Sequence, residues 1–273
     1  MLQTTLKLKS GTSVPALGFG TWQLKGKTCY DSVRYALEVG YKHVDTAAVY
    51  ENQREVGKAI VDSKLKREEL FLTSKIWRSE LAASKVRPAC EEALADLGME
   101  YIDLYLIHWP DKNIPIAETL EELNKLKTEG KIKHTGVSNF TIHHLKDVLA
   151  TGVDVECNQV EFHPSLNQSE LLAFCNEQKV VLTAYSPIAQ GADLKLPEVI
   201  RLADKYKRST SQVILNWIIS KGMIAIPRSS TPKHITDNFK TLEWQLAAED
   251  VAAIDKLNTN YRQVDPDFAE FAY

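Results

Sequence analysis

The sequence predicts an α/β chain folded as a (β/α)8 barrel, with an N-terminal β-hairpin and a short C-terminal tail. Two patterns and one absence predict it. Eight short apolar or β-branched stretches recur within 273 residues, their starts mostly 24 to 32 residues apart, with a last gap of 43. Between them, apolar residues repeat at helical spacing, and strands that alternate with helices pair in parallel. No linker, charge block or low-complexity run breaks the rhythm, so one domain over residues 1–273 is expected. Eight such units can close on themselves. An open doubly wound sheet is the alternative. It calls for a G-x-G-x-x-G turn after the first strand, and Gly18-Phe19-Gly20-Thr21-Trp22 lacks that pattern.

Each element has a local signature. Leu6 and Leu8 alternate with polar residues, the chain turns at Ser10-Gly11 and returns through Val14, which reads as a hairpin closing the barrel bottom. Strands are expected at 16–20, 42–45, 70–75, 102–107, 132–137, 156–160, 180–184 and 223–226. Thr28 and Asp31 form a T-x-x-D capping signal for the first helix, with Val33, Ala36 and Leu37 as its apolar face before Gly40. Asn52 and Glu55 open the second, faced by Val56, Ala59 and Ile60. Val86, Cys90, Ala93, Leu94 and Leu97 line the third, which ends at Gly98. Ile116, Leu120, Leu123 and Leu126 line the fourth, and Leu145, Val148 and Leu149 the fifth. Asn167 reads as the cap of the sixth, which runs through Leu171, Leu172 and Cys175. Two helices, 196–206 and 210–221, fill the long gap, and Thr231-Pro232 opens another with Pro at its first position.

Composition excludes several functions. Lys plus Arg number 33 and Asp plus Glu 36, a net charge of -3, which leaves no basic excess for a nucleic-acid backbone. The longest apolar run is five residues, 171–175, whereas a membrane helix needs ~20. Residues 1–10 have no apolar export core, so a cytoplasmic location is expected. Cys29, Cys90, Cys157 and Cys175 are never closer than 18 residues, so reduced, packed thiols are expected and a metal site is not. His143 and His144 are adjacent and read as solvated surface.

A barrel of this kind carries its site at the C-terminal ends of its strands. That rule gathers Thr21 and Trp22, Asp45 with Tyr50 shortly after, Lys75 and Trp77, His108 and Trp109, Ser138 and Asn139, Gln159, Tyr185 and Ser186, and Arg228 with Ser229. Taken singly, each has an ordinary explanation: a snorkelling lysine, a core histidine, a capping aspartate, rim tryptophans. Their joint placement at successive strand ends suits carbonyl reduction. Tyr50 would hold a proton, and Lys75 beside it should lower its pKa towards that of a useful general acid. Asp45 would pair with Lys75, and His108 would polarise the carbonyl oxygen. No side chain here can supply a hydride, so a nicotinamide must. Two rivals stand beside this reading. One is a Schiff-base lyase with Lys75 as nucleophile, which Asp45 disfavours by keeping the amine protonated. The other is a cofactor-sensing or structural barrel without catalysis.

Six stretches then carry a resemblance: GYKHVDTAAVY at 40–50, TSKIW at 73–77, DLYLIHWP at 103–110, GVSNF at 136–140, CNQVEFHP at 157–164 and IPRSS at 226–230. In this order they resemble the aldo-keto reductases, over roughly residues 14 to 257. The resemblance implies a metal-free (β/α)8 barrel, commonly a monomer, that reduces small-molecule aldehydes and ketones with NADPH. It implies Asp45, Tyr50, Lys75 and His108 as a catalytic tetrad, with Tyr50 the proton donor. Ser138, Asn139 and Gln159 match the carboxamide-binding residues, and Tyr185, followed by Ser186, the residue that stacks on the nicotinamide. Thr21 and Trp22 match positions lining the cofactor and substrate cleft, and Val49, Trp77 and Trp109 match pocket walls. Arg228, Ser229, Thr231, His234, Asp237 and Asn238 fall on the adenosine-phosphate segment. Arg228 stands where the family usually has Lys, and His234 where it usually has Arg. His234 offers little charge to a 2′-phosphate at neutral pH, so NADPH preference with appreciable NADH use is expected. The loops at 111–114 and 186–195 and the tail at 258–273 are short, like those of compact members that reduce methylglyoxal or diketogluconate. An open, undiscriminating pocket is expected, with Phe268, Phe271 and Tyr273 either folding over it or packing on the barrel.

Overall fold

The computed structural model describes Leu2 and residues 4–273. Strands β1 (Thr5–Lys7) and β2 (Ser13–Pro15) form the antiparallel hairpin. The remaining eight strands are β3 (Phe19–Gly20), β4 (His43–Asp45), β5 (Phe71–Ile76), β6 (Ile102–Ile107), β7 (Ile132–Ser138), β8 (Cys157–Glu161), β9 (Val181–Tyr185) and β10 (Ile224–Ala225). They pair in parallel, each with its neighbour in sequence, from β3 to β10. A parallel bridge between Leu17 and Ala225 joins the two ends, with Gly18 N donating to Ala225 O and Gly20 N to Pro227 O, so the sheet closes as expected.

The Gly18-Phe19-Gly20 stretch belongs to that seam. A Cβ on Gly18 would lie 2.7 Å from His43 Nδ1, and one on Gly20 2.8 Å from Ile226 O. The glycines admit the closing strand rather than a phosphate.

Ten helices stand among the described residues: α1 (Gly26–Val39), α2 (Gln53–Asp62), α3 (Ala83–Leu97), α4 (Ile116–Thr128), α5 (Ile142–Ala150), α6 (Ser169–Glu177), α7 (Pro197–Tyr206), α8 (Thr210–Ser220), α9 (Pro232–Phe239) and α10 (Ala248–Asp255). Their apolar stripes are those read from spacing: Val33, Ala36 and Leu37 on α1, and Leu120, Leu123 and Leu126 on α4, are buried against the sheet. Two expected helix starts are wrong in detail, and at a third, Asn52, the position holds but the side chain does not cap. α1 begins at Gly26, so Thr28 and Asp31 lie inside it; Thr28 O accepts from Ser32, and Asp31 pairs with Lys27. Asn52 sits at the cap position of α2 but turns inward, donating to Thr21 O and Leu24 O and accepting from Thr46. Gln168 caps α6, and Asn167 donates instead to Asp255 O. At Asn52 and Asn167 tertiary partners outcompete the local cap, whereas at Thr28 the helix already begins two residues earlier, at Gly26.

The hairpin seals the bottom of the barrel through one buried carboxylate. Glu156, just before β8, accepts from Ser10 N at 2.9 Å and from His134 Nδ1 at 2.8 Å. Burial would raise its pKa, but these hydrogen bonds prevail and hold it at about 2. The depressed value sets the sign of its pH dependence. Its stabilisation is complete above the ordinary carboxylate range and disappears as pH falls towards 2. Glu156→Gln is expected to cost about 1–3 kcal/mol at neutral pH. The acid-unfolding curves of variant and parent should converge at the low end of the titration, and parallel curves throughout would refute this role.

Candidate active site

The C-terminal strand ends open into one cavity of about 600 Å³, a usual size for a small-molecule site. Thr21, Trp22, Asp45, Val49, Tyr50, Trp77, His108, Trp109, Asn139, Gln159, Tyr185, Ser186 and Arg228 all line it. Lys75 lies beneath them, fully buried. Short turns set the angles. A 3-10 turn at Ala48–Tyr50 swings Tyr50 back over Lys75, and Lys25 Nζ, hydrogen-bonded to Tyr50 O at 2.7 Å, pins it. Asn139 and Ser186 take left-handed backbone, with φ of 64° and 45°, where strands β7 and β9 end.

At the floor, Lys75 Nζ lies 2.6 Å from Asp45 Oδ1, 2.9 Å from Thr46 O and 3.3 Å from Tyr50 Oη. Asp45 Oδ2 accepts from Gln159 Nε2 at 2.7 Å. A lysine without surface exposure is no snorkelling side chain, and the carboxylate is what makes its burial tolerable. Burial lowers the Lys75 pKa, and the Asp45 carboxylate opposes that shift.

Tyr50 corrects an expectation. Its pKa lies well above the ordinary phenol value, raised first by burial and then by Asp45. The expected depression by Lys75 is absent because burial, the larger cause, and the Asp45 carboxylate both favour the neutral phenol. Tyr50 therefore keeps its proton firmly in this state. His108 is driven the other way: burial, then the charge of Lys75, pushes its pKa well below the usual imidazole value. The ring is neutral and carries one N–H. Nδ1 is buried without a partner among the described residues, where an N–H would be stranded, so the proton belongs on Nε2, the nitrogen open to the cavity. The His108 ring stands edge-on to Tyr50, with centroids 5.6 Å apart, and to Trp77 at 5.2 Å.

The far wall fits a flat, amide-bearing ring. Ser138 Oγ donates to Gln159 O, Asn139 Nδ2 donates to His108 O, and Tyr185 Oη donates to Asn139 Oδ1 at 2.8 Å. These bonds hold the Tyr185 ring against the cavity and leave Gln159 Oε1 without a protein partner among the described residues. Arg228 is exposed at the mouth and donates to Gln23 Oε1 at 3.0 Å across the barrel seam, placing a fixed positive charge beside the cavity. Ser229 and Thr231 continue from Arg228 to the start of α9, and His234 and Asn238 lie along that helix, all outside the main cavity. Thr231 and His234 are exposed, whereas Ser229 and Asn238 are buried. Asp237, on the same helix, is half-buried. Its two oxygens accept from Ser209 Oγ and Gln212 Nε2, which ties α9 to α8.

The tail folds over one side of the cavity. Phe268 lines it, edge-on to Trp77 and Trp109 with centroids 5.7 and 5.4 Å away. Phe271 packs on the outer side of Trp109. Tyr273 lies against His143 and His144 and donates to Asp147. His144 is accordingly not the solvated residue expected: it is buried, with Nε2 3.2 Å from Glu270. Val264, Ile188 and Gln190 also line the cavity and were not singled out from sequence, since no local pattern marks a wall residue on an irregular segment. Asn52 is the other omission; it fastens the loop of Trp22 to that of Tyr50, and its local signal was that of a helix cap.

Comparison with known proteins agrees with this geometry. Residues 16–259 match the Aldo/keto reductase family. Glyoxal reductase of Bacillus subtilis (strain 168) is 40% identical, over 96% of this chain and 95% of its own. Methylglyoxal reductase DkgA of Escherichia coli (strain K12) is 39% identical, over 97% of each. Among solved structures, an aldo-keto reductase from a Medee basin deep-sea metagenome library aligns with a TM-score of 0.94 at 35% identity, covering 98% of this chain and 100% of that one. The aldose reductase of Schistosoma japonicum aligns at 0.92 with 34% identity, covering 96% and 94%. With its closed eight-stranded sheet, its buried Asp45–Lys75 pair beneath Tyr50 and a family match over most of its length, the chain belongs to the aldo/keto reductase family.

Proposed function

We propose that the protein is an NADPH-dependent reductase of small aldehydes, ketones, dicarbonyls and keto-sugars, with Tyr50 as proton donor. The observation that carries this is the Tyr50 hydroxyl, held protonated over Lys75 and beside the open Nε2 of a neutral His108. The fit for a nicotinamide rests on the Tyr185 ring, the free Gln159 oxygen and the cation of Arg228. When bound, that group supplies the hydride to the carbonyl carbon. The protein's own residues do the rest. His108 donates from Nε2 to the carbonyl oxygen and orients it. Tyr50 passes its proton to that oxygen as negative charge develops there. The phenolate left behind lies 3.3 Å from Lys75 Nζ, so the ammonium stabilises it at that moment, and Asp45 holds the ammonium in place. Trp22, Val49, Trp77 and Trp109 provide an apolar wall for the substrate.

Lys75 is too deeply buried and too tightly paired for the Schiff-base alternative, which needs a free amine facing the substrate. Four buried free cysteines fit a cytoplasmic setting, and no helix among the described residues is long and apolar enough to cross a membrane. The test is oxidation of NADPH against a panel of small aldehydes, dicarbonyls, keto-sugars and bulky ketones. Turnover of the small compounds is expected, and no oxidation with any of them would favour a non-catalytic barrel. Run with both cofactors, kcat/KM for NADPH should exceed that for NADH by about tenfold, one charge-assisted contact's worth from Arg228. A higher value with NADH would overturn the NADPH preference.

A further inference from the structure

We propose that Glu161, His163 and Asp193 form a buried positioning triad that holds two separate walls of the cofactor and substrate cleft in their binding arrangement. The proposal rests on the reductase reading above. All three side chains are almost wholly buried, and none lines the cavity. Glu161 ends β8, two residues after Gln159. Its Oε1 accepts from His163 Nε2 at 2.9 Å and from Gln263 N at 2.7 Å, and its Oε2 accepts from Val264 N at 2.9 Å. A strand-end carboxylate thus grips the backbone at the start of the tail. On the other side, His163 Nδ1 lies 2.9 Å from Asp193 Oδ2. Asp193 belongs to the loop after β9 and also accepts from Ser165 N at 2.9 Å and Ser165 Oγ at 2.6 Å. Ser165 O in turn accepts from Thr259 N and Tyr261 N of the tail, and Gln263 Nε2 reaches Ala189 O of the loop.

The chemistry makes this an all-or-none clamp. Both partners of the imidazole are carboxylates, which only accept, so both ring nitrogens donate and the ring is a buried imidazolium. Its pKa is raised accordingly: burial opposes the charge, and the hydrogen bonds to Asp193 and Glu161 prevail. A buried cation between two buried anions is tolerable only while every member stays paired. Both segments that the triad holds contribute to the cleft, Ile188 and Gln190 from the loop, Val264 and Phe268 from the tail. They carry no regular strand or helix to order them otherwise, apart from short 3-10 turns in the loop. Weakening the triad lowers the fraction of molecules with both walls in place, and apparent affinity falls by that fraction.

The test compares the parent with His163→Gln and Asp193→Asn. NADPH affinity is read from quenching of tryptophan fluorescence, and KM is measured apart from a single-turnover reduction rate at saturation. Weakening of NADPH binding and of KM by about tenfold is expected, with the single-turnover rate changed less than about twofold. Amide exchange should accelerate at 188–190 and 263–264 but not in β5 or β6. Folded variants with parental affinity and KM, or a loss confined to the single-turnover rate, would overturn the proposal. Should a variant not fold, exchange in the parent decides: Gln263 and Val264 amides as unprotected as that of the exposed Asp267 would overturn it, and strong protection at both would support it. If the parent itself oxidises no NADPH, the reductase reading fails, while the exchange measurement still tests the triad.

Discussion

Tyr50→Phe is expected to lower kcat for carbonyl reduction by about a thousandfold while leaving NADPH affinity nearly unchanged. The substitution removes one oxygen atom, and that oxygen carries a hydroxyl proton 3.3 Å from Lys75 Nζ, on a ring that stands edge-on to the neutral His108. Positioned general acids contribute about 10²- to 10⁴-fold, which sets the size of the loss. The ring's own packing is retained, since its edge contact with His108 and the cation contact with Lys75 Nζ at 4.9 Å from its centroid do not involve the hydroxyl. Stability should therefore change little. Near-parental turnover in this variant would refute Tyr50 as the proton donor. A large loss of NADPH affinity would instead mean that the hydroxyl acts on the cofactor.

Lys75→Met is expected to damage both stability and catalysis. Among the described residues it leaves the Asp45 carboxylate, nearly unexposed, with only Gln159 Nε2 as a side-chain donor. Stranding one member of a buried ion pair costs about 3–5 kcal/mol, which in a chain of this size lowers the Tm by roughly 10 °C. The double variant Asp45→Asn/Lys75→Met removes both charges and should recover most of that stability. It should not recover activity, because the phenolate formed at Tyr50 still lacks its ammonium. Calorimetry and kcat measured on the same three variants separate the two effects. Equal stability of the single and double variants would show that the pair is not held as the geometry indicates.

The local signals that succeeded and those that failed differ in range. The apolar stripes of α1 and α4 were legible because burial follows helical periodicity whatever the partner surface is. The side chains of Asn52 and Asn167 do not cap their helices because a short polar side chain bonds whichever backbone group is nearest in space, and at Asn52 that group lies on a distant turn. His144 read as surface because nothing near it in sequence announces that Glu270 and Tyr273 return to cover it. The Tyr50 expectation failed for a related reason: burial, which spacing along the chain does not report, raises its pKa more than any charge near it.

By itself, the sequence determined the barrel, the rim that bears the chemistry and most of the residues on it. Strand–helix alternation fixes parallel pairing, and in a closed parallel sheet all C-terminal strand ends face one way. Only the tertiary structure decided what those residues are to one another. Charge state depends on distances of a few ångströms and on water exclusion, and neither is a function of spacing along the chain. The same holds for the tail and the loop after β9. Their cleft-facing positions come from buried contacts to Glu161 and Asp193, whose partners lie 28 to 103 residues away in sequence.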